Sequence, residues 1–178
     1  ILEIIPRRTN CMDLMRTVVS VLGILEPETG ENNDIQIALR LTAIYGPCLL
    51  YWHHYHTSGI RINVETSPDD TISINFLKLL KNSYPTELEI KTLDVSLILY
   101  AEHDFNASTF AARVAVSTLS DFYSGITTAI GTLRGPLHGG ANEAAMEFLS
   151  DIKSAEEGEK KLRKFFAEKK LKKKKKSI

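Results

Sequence analysis

The amino-acid sequence predicts an all-α fold, on three observations. Apolar residues recur at three- and four-residue spacing along nearly the whole chain. No segment alternates with period two beside hairpin turn residues. The breaks between periodic stretches are short and polar, and several contain side chains that cap helices. With 178 residues, 43% hydrophobic and 25% charged, the chain is long enough to bury a core.

The elements follow in order. Asn10 is placed to cap a first helix carrying Met12, Met15, Val19 and Leu22, which Gly23 is expected to end. Residues 27–33 read as a loop. Asp34 is placed to cap a second helix whose apolar positions, Ile35, Ile37, Leu39, Leu41, Ile44, Leu49 and Leu50, cover most faces and predict burial. Pro47 lacks a backbone donor and is expected to kink or restart that helix. Residues 58–70 form a polar loop. Asp69 or Asp70 then starts a helix with Ile72, Phe76, Leu79 and Leu80, broken at residues 82–85. Thr86 with Glu89 three residues on is a capping box, ahead of Ile90, Leu93, Leu97 and Tyr100. After a polar break at 101–108, residues 109–118 and 122–133 read as two apolar helices. A glycine-rich turn at 134–142 precedes a helix over 143–152. Ser154 and Glu157 form a second capping box, ahead of an amphipathic helix over 156–170 built on Leu162, Phe165 and Phe166. Five lysines at 172–176 repel one another and read as a solvated, disordered tail.

The net charge of zero hides an asymmetry. Residues 153–178 hold 12 of the 22 basic and 4 of the 22 acidic side chains, so that stretch is about +8 and the rest about −8. A mildly acidic body has no basic face for nucleic acid. The lysine run alone leaves an anionic surface open as a partner. No apolar run reaches the roughly 18 residues of a membrane span. Cys11 and Cys48 have neither metal-site nor disulfide-framework spacing, which suits a reduced, cytoplasmic setting. The start at Ile1 has neither the basic segment nor the apolar stretch of a signal peptide. Without an initiator Met, the chain is expected to begin partway through a longer protein.

Two polar breaks bring histidines to helix junctions. His103 stands in Glu102-His103-Asp104. His138 stands in Gly135-Pro136-Leu137-His138-Gly139-Gly140-Ala141-Asn142. A neutral imidazole near a helix N-terminus can donate a hydrogen bond to a developing oxyanion. Gly139 and Gly140 permit close approach of a substrate to the backbone, and positive φ. Read from the residues alone, either histidine is as well explained by a helix turn or a hydrogen-bonded loop. His53 and His56 share a helical face beside His54, but no Cys, Asp or Glu lies at ligand spacing, so no metal is expected. Trp52 and Tyr55 read as core or interface, Phe122 and Tyr123 as core, and Arg134 as a charge near a helix C-terminus.

The stretch from Gly135 to Glu143 resembles the signature of the citrate synthase family. Residues 101–110 resemble that family's other histidine motif, about thirty-five residues upstream as expected. Met12-Asp13-Leu14-Met15-Arg16-Thr17, Leu25-Glu26-Pro27-Glu28 and Tyr51-Trp52-His53-His54-Tyr55 look like further family segments in the correct order. The segments around Tyr51 and Phe105 look more like 2-methylcitrate synthases than housekeeping citrate synthases. The resemblance implies large-domain helices over 1–138, the start of a small domain over 139–170, and the lysine-rich tail over 171–178. It also implies truncation at both ends.

The family condenses an acyl-CoA with oxaloacetate. By the resemblance, His138 is the catalytic donor to the enolate oxygen and His103 holds oxaloacetate. Gly139, Gly140 and Asn142 shape the pocket, the two glycines at a hinge that closes on substrate. The implied partners are oxaloacetate, propionyl-CoA or acetyl-CoA, and a second copy in a homodimer. No cofactor is implied, acyl-CoA being a substrate. The sequence departs from the family in three respects: its third histidine segment, its catalytic aspartate and its carboxylate-clamping arginines have no counterpart in these residues. Turnover is therefore expected to be impaired. The alternative is a non-catalytic remnant that associates with an intact paralogue.

Overall fold

The computed structural model describes residues 1–102 and 104–175, with the side chains of 141–143 and 169–175 outside the description. The described residues hold helices and no strand. A 3-10 turn at Leu2–Ile4 leads into α1 (Cys11–Leu25), α2 (Asp34–Ser58), α3 (Ile72–Lys81), α4 (Glu87–Tyr100), α5 (Ala107–Val116), α6 (Phe122–Leu133), α7 (Pro136–Ser150) and α8 (Ala155–Lys175). None of the described helices is long and apolar enough to cross a membrane. The chain divides into two compact units, Ile1–Arg134 and Gly135–Ile178.

Local capping sets most helix starts. Asn10 Oδ1 accepts from Met12 N at 2.9 Å, and Asn33 Oδ1 from Gln36 N at 3.2 Å. The Thr86–Glu89 box forms in both directions. Asn106 and Asp121 cap α5 and α6 in the same way. Each such bond satisfies an amide that the helix cannot and contributes about 1 kcal/mol. The start of α3 falls slightly later than expected. Its cap is Thr71, because the carboxylate of Asp70 is taken by Lys78 at 2.7 Å.

Two expected breaks lie inside helices. Gly23 does not end α1, which runs on to Leu25. A Cβ at Gly23 would sit 3.2 Å from Tyr123 Cβ, so this glycine lets α6 approach α1 closely. Nor does α2 restart at Pro47. Pro47 removes one amide from a 25-residue ladder, and the helix continues around it.

The core of the first unit has two parts. Val19, Ile37, Leu41 and Tyr123 join α1, α2 and α6, and Leu14, Val18 and Trp52 join α1 to α2 beneath the N-terminal turn. Ile35 and Leu39, expected inside, are exposed, so α2 buries a narrower stripe than its composition suggested. The N-terminal turn is held by polar contacts across long sequence separations. Arg61 grips Glu3 with two hydrogen bonds of 2.7 and 2.8 Å, and the Tyr51 hydroxyl donates to the same carboxylate at 2.6 Å. The Trp52 indole donates to Ile5 O at 3.2 Å. These donors hold the Glu3 carboxyl at about 2, well below its ordinary 4.5, Arg61 first among them.

The second unit is a helical pair. Phe148 of α7 packs against Phe165 of α8 with ring centroids 5.9 Å apart. Lys161 donates to Phe148 O at 3.0 Å. Ser154 Oγ accepts from Glu157 N at 3.2 Å, while the Glu157 carboxylate accepts from Lys153 N. α8 extends past Lys170, into the lysine run as far as Lys175.

Two predictions come from this packing. Leu14 is fully buried, so Leu14→Ala is expected to lower the unfolding free energy by about 2–5 kcal/mol in urea denaturation. Glu3 has a depressed folded-state pKa, so its contribution is complete above 4.5 and lost as pH falls towards 2. Glu3→Gln should lower the melting temperature near neutral pH, and the gap to the native chain should close across that acid window.

Candidate active site

α7 begins at Gly135, in extended conformation, with Pro136 at its first helical position. Proline there loses nothing, since its missing amide would be an orphan, and its fixed φ suits the helix. This explains why the stretch expected to be a turn is helical. His138 therefore lies on the first turn, half-buried, its amide donating to Gly135 O at 3.0 Å. No side chain caps this helix, and the positive end of its dipole lies beside the histidine.

Neither Gly139 nor Gly140 takes an unusual dihedral. Both are helical, and among the described glycines only Gly59 has positive φ. A Cβ at Gly140 would meet nothing within 4 Å. The side chain of Asn142, expected to shape the same pocket, lies outside the described side chains.

His103 lies outside the described residues. The residues after it are unusual. Phe105 adopts φ 56°, in the left-handed region, with its ring 98% exposed. A bulky side chain rarely takes that conformation, and such strain gathers at functional sites. Asn106 next to it caps α5.

The other polar candidates make structural contacts. His54 Nε2 lies 2.8 Å from Leu79 O, and His56 Nε2 lies 3.3 Å from Leu2 O, so two of the three clustered histidines hold backbone carbonyls. No metal-type cluster occurs among the described residues. Arg134 bonds Asp13 Oδ2 at 3.3 Å. Trp52 and Tyr123 are core, as expected.

Sequence reasoning missed Asn75. It is nine-tenths buried on α3 and borders two clefts, one of about 500 Å³ and one of about 870 Å³. The signal was available: an amide on the helix stripe that otherwise carries Ile72, Phe76 and Leu79.

Comparison with known proteins defines the class by fold. A citrate synthase from Thermoplasma acidophilum, solved as a ternary complex with carboxymethyl coenzyme A and oxaloacetate, superposes with TM-score 0.69 at 32% identity, covering 92% of this chain and 43% of that one. A citrate synthase from Thermotoga maritima gives 0.67 at 32% identity, covering 94% and 43%. The family model for the citrate synthase C-terminal domain matches residues 1–178, and the chain belongs to the citrate synthase family. It is 55% identical over 153 residues to the 2-methylcitrate synthase of Shewanella oneidensis, covering 86% of this chain, and 44% identical over 151 residues to citrate synthase 2 of Bacillus subtilis, covering 83%. In both cases the chain spans 40% of the relative's length.

If Gly140 is kept for open space rather than for backbone freedom, the fold should tolerate a methyl group there. Gly140→Ala is expected to stabilise α7 by about 0.5–1 kcal/mol, read as slower hydrogen exchange of its amides.

Proposed function

We propose that this chain carries the histidine-bearing part of an acyl-CoA:oxaloacetate condensing site, with propionyl-CoA as the preferred acyl donor. The observation that supports it best is His138 on the first turn of α7, at a helix N-terminus that no side chain caps. The donor preference rests on the higher identity to a 2-methylcitrate synthase than to citrate synthase 2.

The chemistry turns on a weak carbon acid. A carboxylate takes the proton alpha to the thioester carbonyl, and the charge moves to the carbonyl oxygen. A donor already aimed at that oxygen lowers the barrier most, since it need not reorganise as charge develops. His138 takes that role in this reading. The enolate carbon then attacks the oxaloacetate ketone, with His103 as an oxaloacetate ligand. Water cleaves the thioester of the adduct and releases CoA as the free thiol. Gly139, Gly140 and Asn142 border the pocket. A homodimer in the cytoplasm is the assembly proposed.

The carboxylate base expected from the family resemblance has no counterpart in these 178 residues, and losing a general base costs about 10²–10⁴ in rate. The chain by itself is therefore a slow catalyst. A second reading is a non-catalytic partner of an intact paralogue.

The test is CoA thiol release by the purified chain, given oxaloacetate with propionyl-CoA or acetyl-CoA. The expected result is oxaloacetate-dependent release, at least about 10²-fold slower than the intact Shewanella relative, faster with propionyl-CoA, and lost in His138→Ala. Release that survives His138→Ala would overturn the role of His138. Calorimetric binding of oxaloacetate with no release would establish the second reading.

A further inference from the structure

The second unit holds most of the chain's positive charge, and α8 sorts it along its axis. Glu156, Glu157 and Glu159 stand in the first two turns, where the helix dipole is positive. From Lys160 to Lys176 the chain then has eleven basic residues against one acid, Glu168. The early acids are already engaged. Glu159 takes Arg163 through hydrogen bonds of 2.6 and 2.9 Å, and Glu157 accepts from Lys153 N at 3.1 Å. Neither Lys160 nor Lys164 pairs with a carboxylate among the described residues. Like charges three and four residues apart on a helix repel, and an anionic surface removes that cost.

α8 turns one apolar side to α7 and leaves another uncovered. Phe165 packs on Phe148. Phe166 is 60% exposed, and Leu162, one turn before it, is 43% exposed. Helical spacing continues this second stripe into the basic region: Lys169, Lys170 and Lys173 follow Phe166 by three, four and seven residues. Apolar residues and cations therefore share one side of the helix, the pattern of a helix that lies in a membrane interface.

A lipid surface fits this stripe better than nucleic acid does. Ten of the eleven cations are lysine. Lysine acts as a point charge and suits a diffuse surface potential, whereas forked phosphate and base contacts favour arginine. Leu162 and Phe166 gain by passing below lipid headgroups, and a duplex backbone offers them nothing comparable. Residues 1–152 are about −8, so they gain nothing from an anionic surface and contact is confined to this helix. None of the described helices can cross a membrane, so the contact is peripheral. We propose that α8 lies on an anionic lipid surface, with Leu162 and Phe166 below the headgroups and the lysines from Lys169 to Lys176 supplying the attraction. The proposal is independent of the catalytic reading.

The test is co-sedimentation of the whole 178-residue chain with vesicles of phosphatidylcholine containing about 30 mol% phosphatidylglycerol, beside vesicles of phosphatidylcholine only. The anionic vesicles should bind at least about tenfold more tightly, and the advantage should vanish between about 0.1 and about 1 M salt, as the screening length falls from about 10 to about 3 Å. The combined variant Lys172→Gln, Lys173→Gln, Lys174→Gln, Lys175→Gln and Lys176→Gln should bind at least about 100-fold more weakly, since each lysine at such a surface contributes about fivefold. Phe166→Ser should weaken binding about tenfold with the helical circular dichroism unchanged. Lys164→Gln, on the opposite side of α8 from Phe166, should cost less than Lys170→Gln. Equal binding to both vesicles, or no loss on Phe166→Ser, overturns the proposal. So does an equal loss for Lys164→Gln and Lys170→Gln, which marks a charged tail without orientation. Tighter binding to a DNA duplex than to the anionic vesicles overturns it in favour of a nucleic-acid contact. Turnover plays no part in the readout, so the catalytic proposal stands or falls separately.

Discussion

The first unit depends on how closely Tyr123 can approach α1. That approach exists because position 23 carries no side chain: a Cβ there would lie 3.2 Å from the Tyr123 Cβ and ring. The ring fills the space between Val19, Ile37 and Leu41, so a single residue of α6 closes the contact among three helices. Its hydroxyl donates to Glu26 O at 2.8 Å, which satisfies a carbonyl at the end of α1 and keeps the buried oxygen paired. At its far end α6 is tied to α1 again, through Arg134 and Asp13. The start of α6 therefore lies by the end of α1 and its end by the start of α1. The two helices run antiparallel, fixed at both ends by polar bonds and along their length by apolar packing.

A second set of contacts does for the N-terminal turn what Tyr123 does for α6. Glu3, Tyr51 and Arg61 are separated by up to 58 residues and meet at one carboxylate. An exposed ion pair of ordinary geometry contributes little. This one is bidentate and joined by a tyrosine hydroxyl, and fork-to-carboxylate geometry gives direction as well as attraction. Trp52 and His56 then take the carbonyls of Ile5 and Leu2. Two of the three clustered histidines, His54 and His56, pin separate segments to α2.

What could be read from the sequence was what is local. Caps at Asn10 and Thr86–Glu89 form within three residues, so spacing alone reveals them. The errors came where distant chain decides. Gly23 looks like a helix stop until Tyr123 arrives from a hundred residues away. Pro47 looks like a restart, but it falls inside a helix held on either side by buried Leu41 and Leu50. Ile35 and Leu39 look like core because periodicity reports an apolar face without saying what covers it. The turn expected around His138 is a helix start because proline at the first position favours one. The His138 motif was legible as a family signature. Its helical setting was not, and Asn75 was passed over because a single amide in an apolar stripe has no motif to announce it.

The placement of His138 bears on how the work of the proposed reaction is divided. Removing a proton next to a thioester needs a base for the proton and a donor for the oxygen, acting together. One imidazole cannot serve as both, because donating to the oxyanion and accepting from carbon require opposite protonation at the same moment. A histidine at the positive end of a helix is suited to the donor role. The complementary group must then be a carboxylate, which needs no such helix and is held better away from one, where the dipole does not reduce its basicity. On this argument the two halves of the proton transfer have conflicting electrostatic needs. A stretch organised around a helix N-terminus can be complete as a donor site and still need its base from elsewhere in the fold.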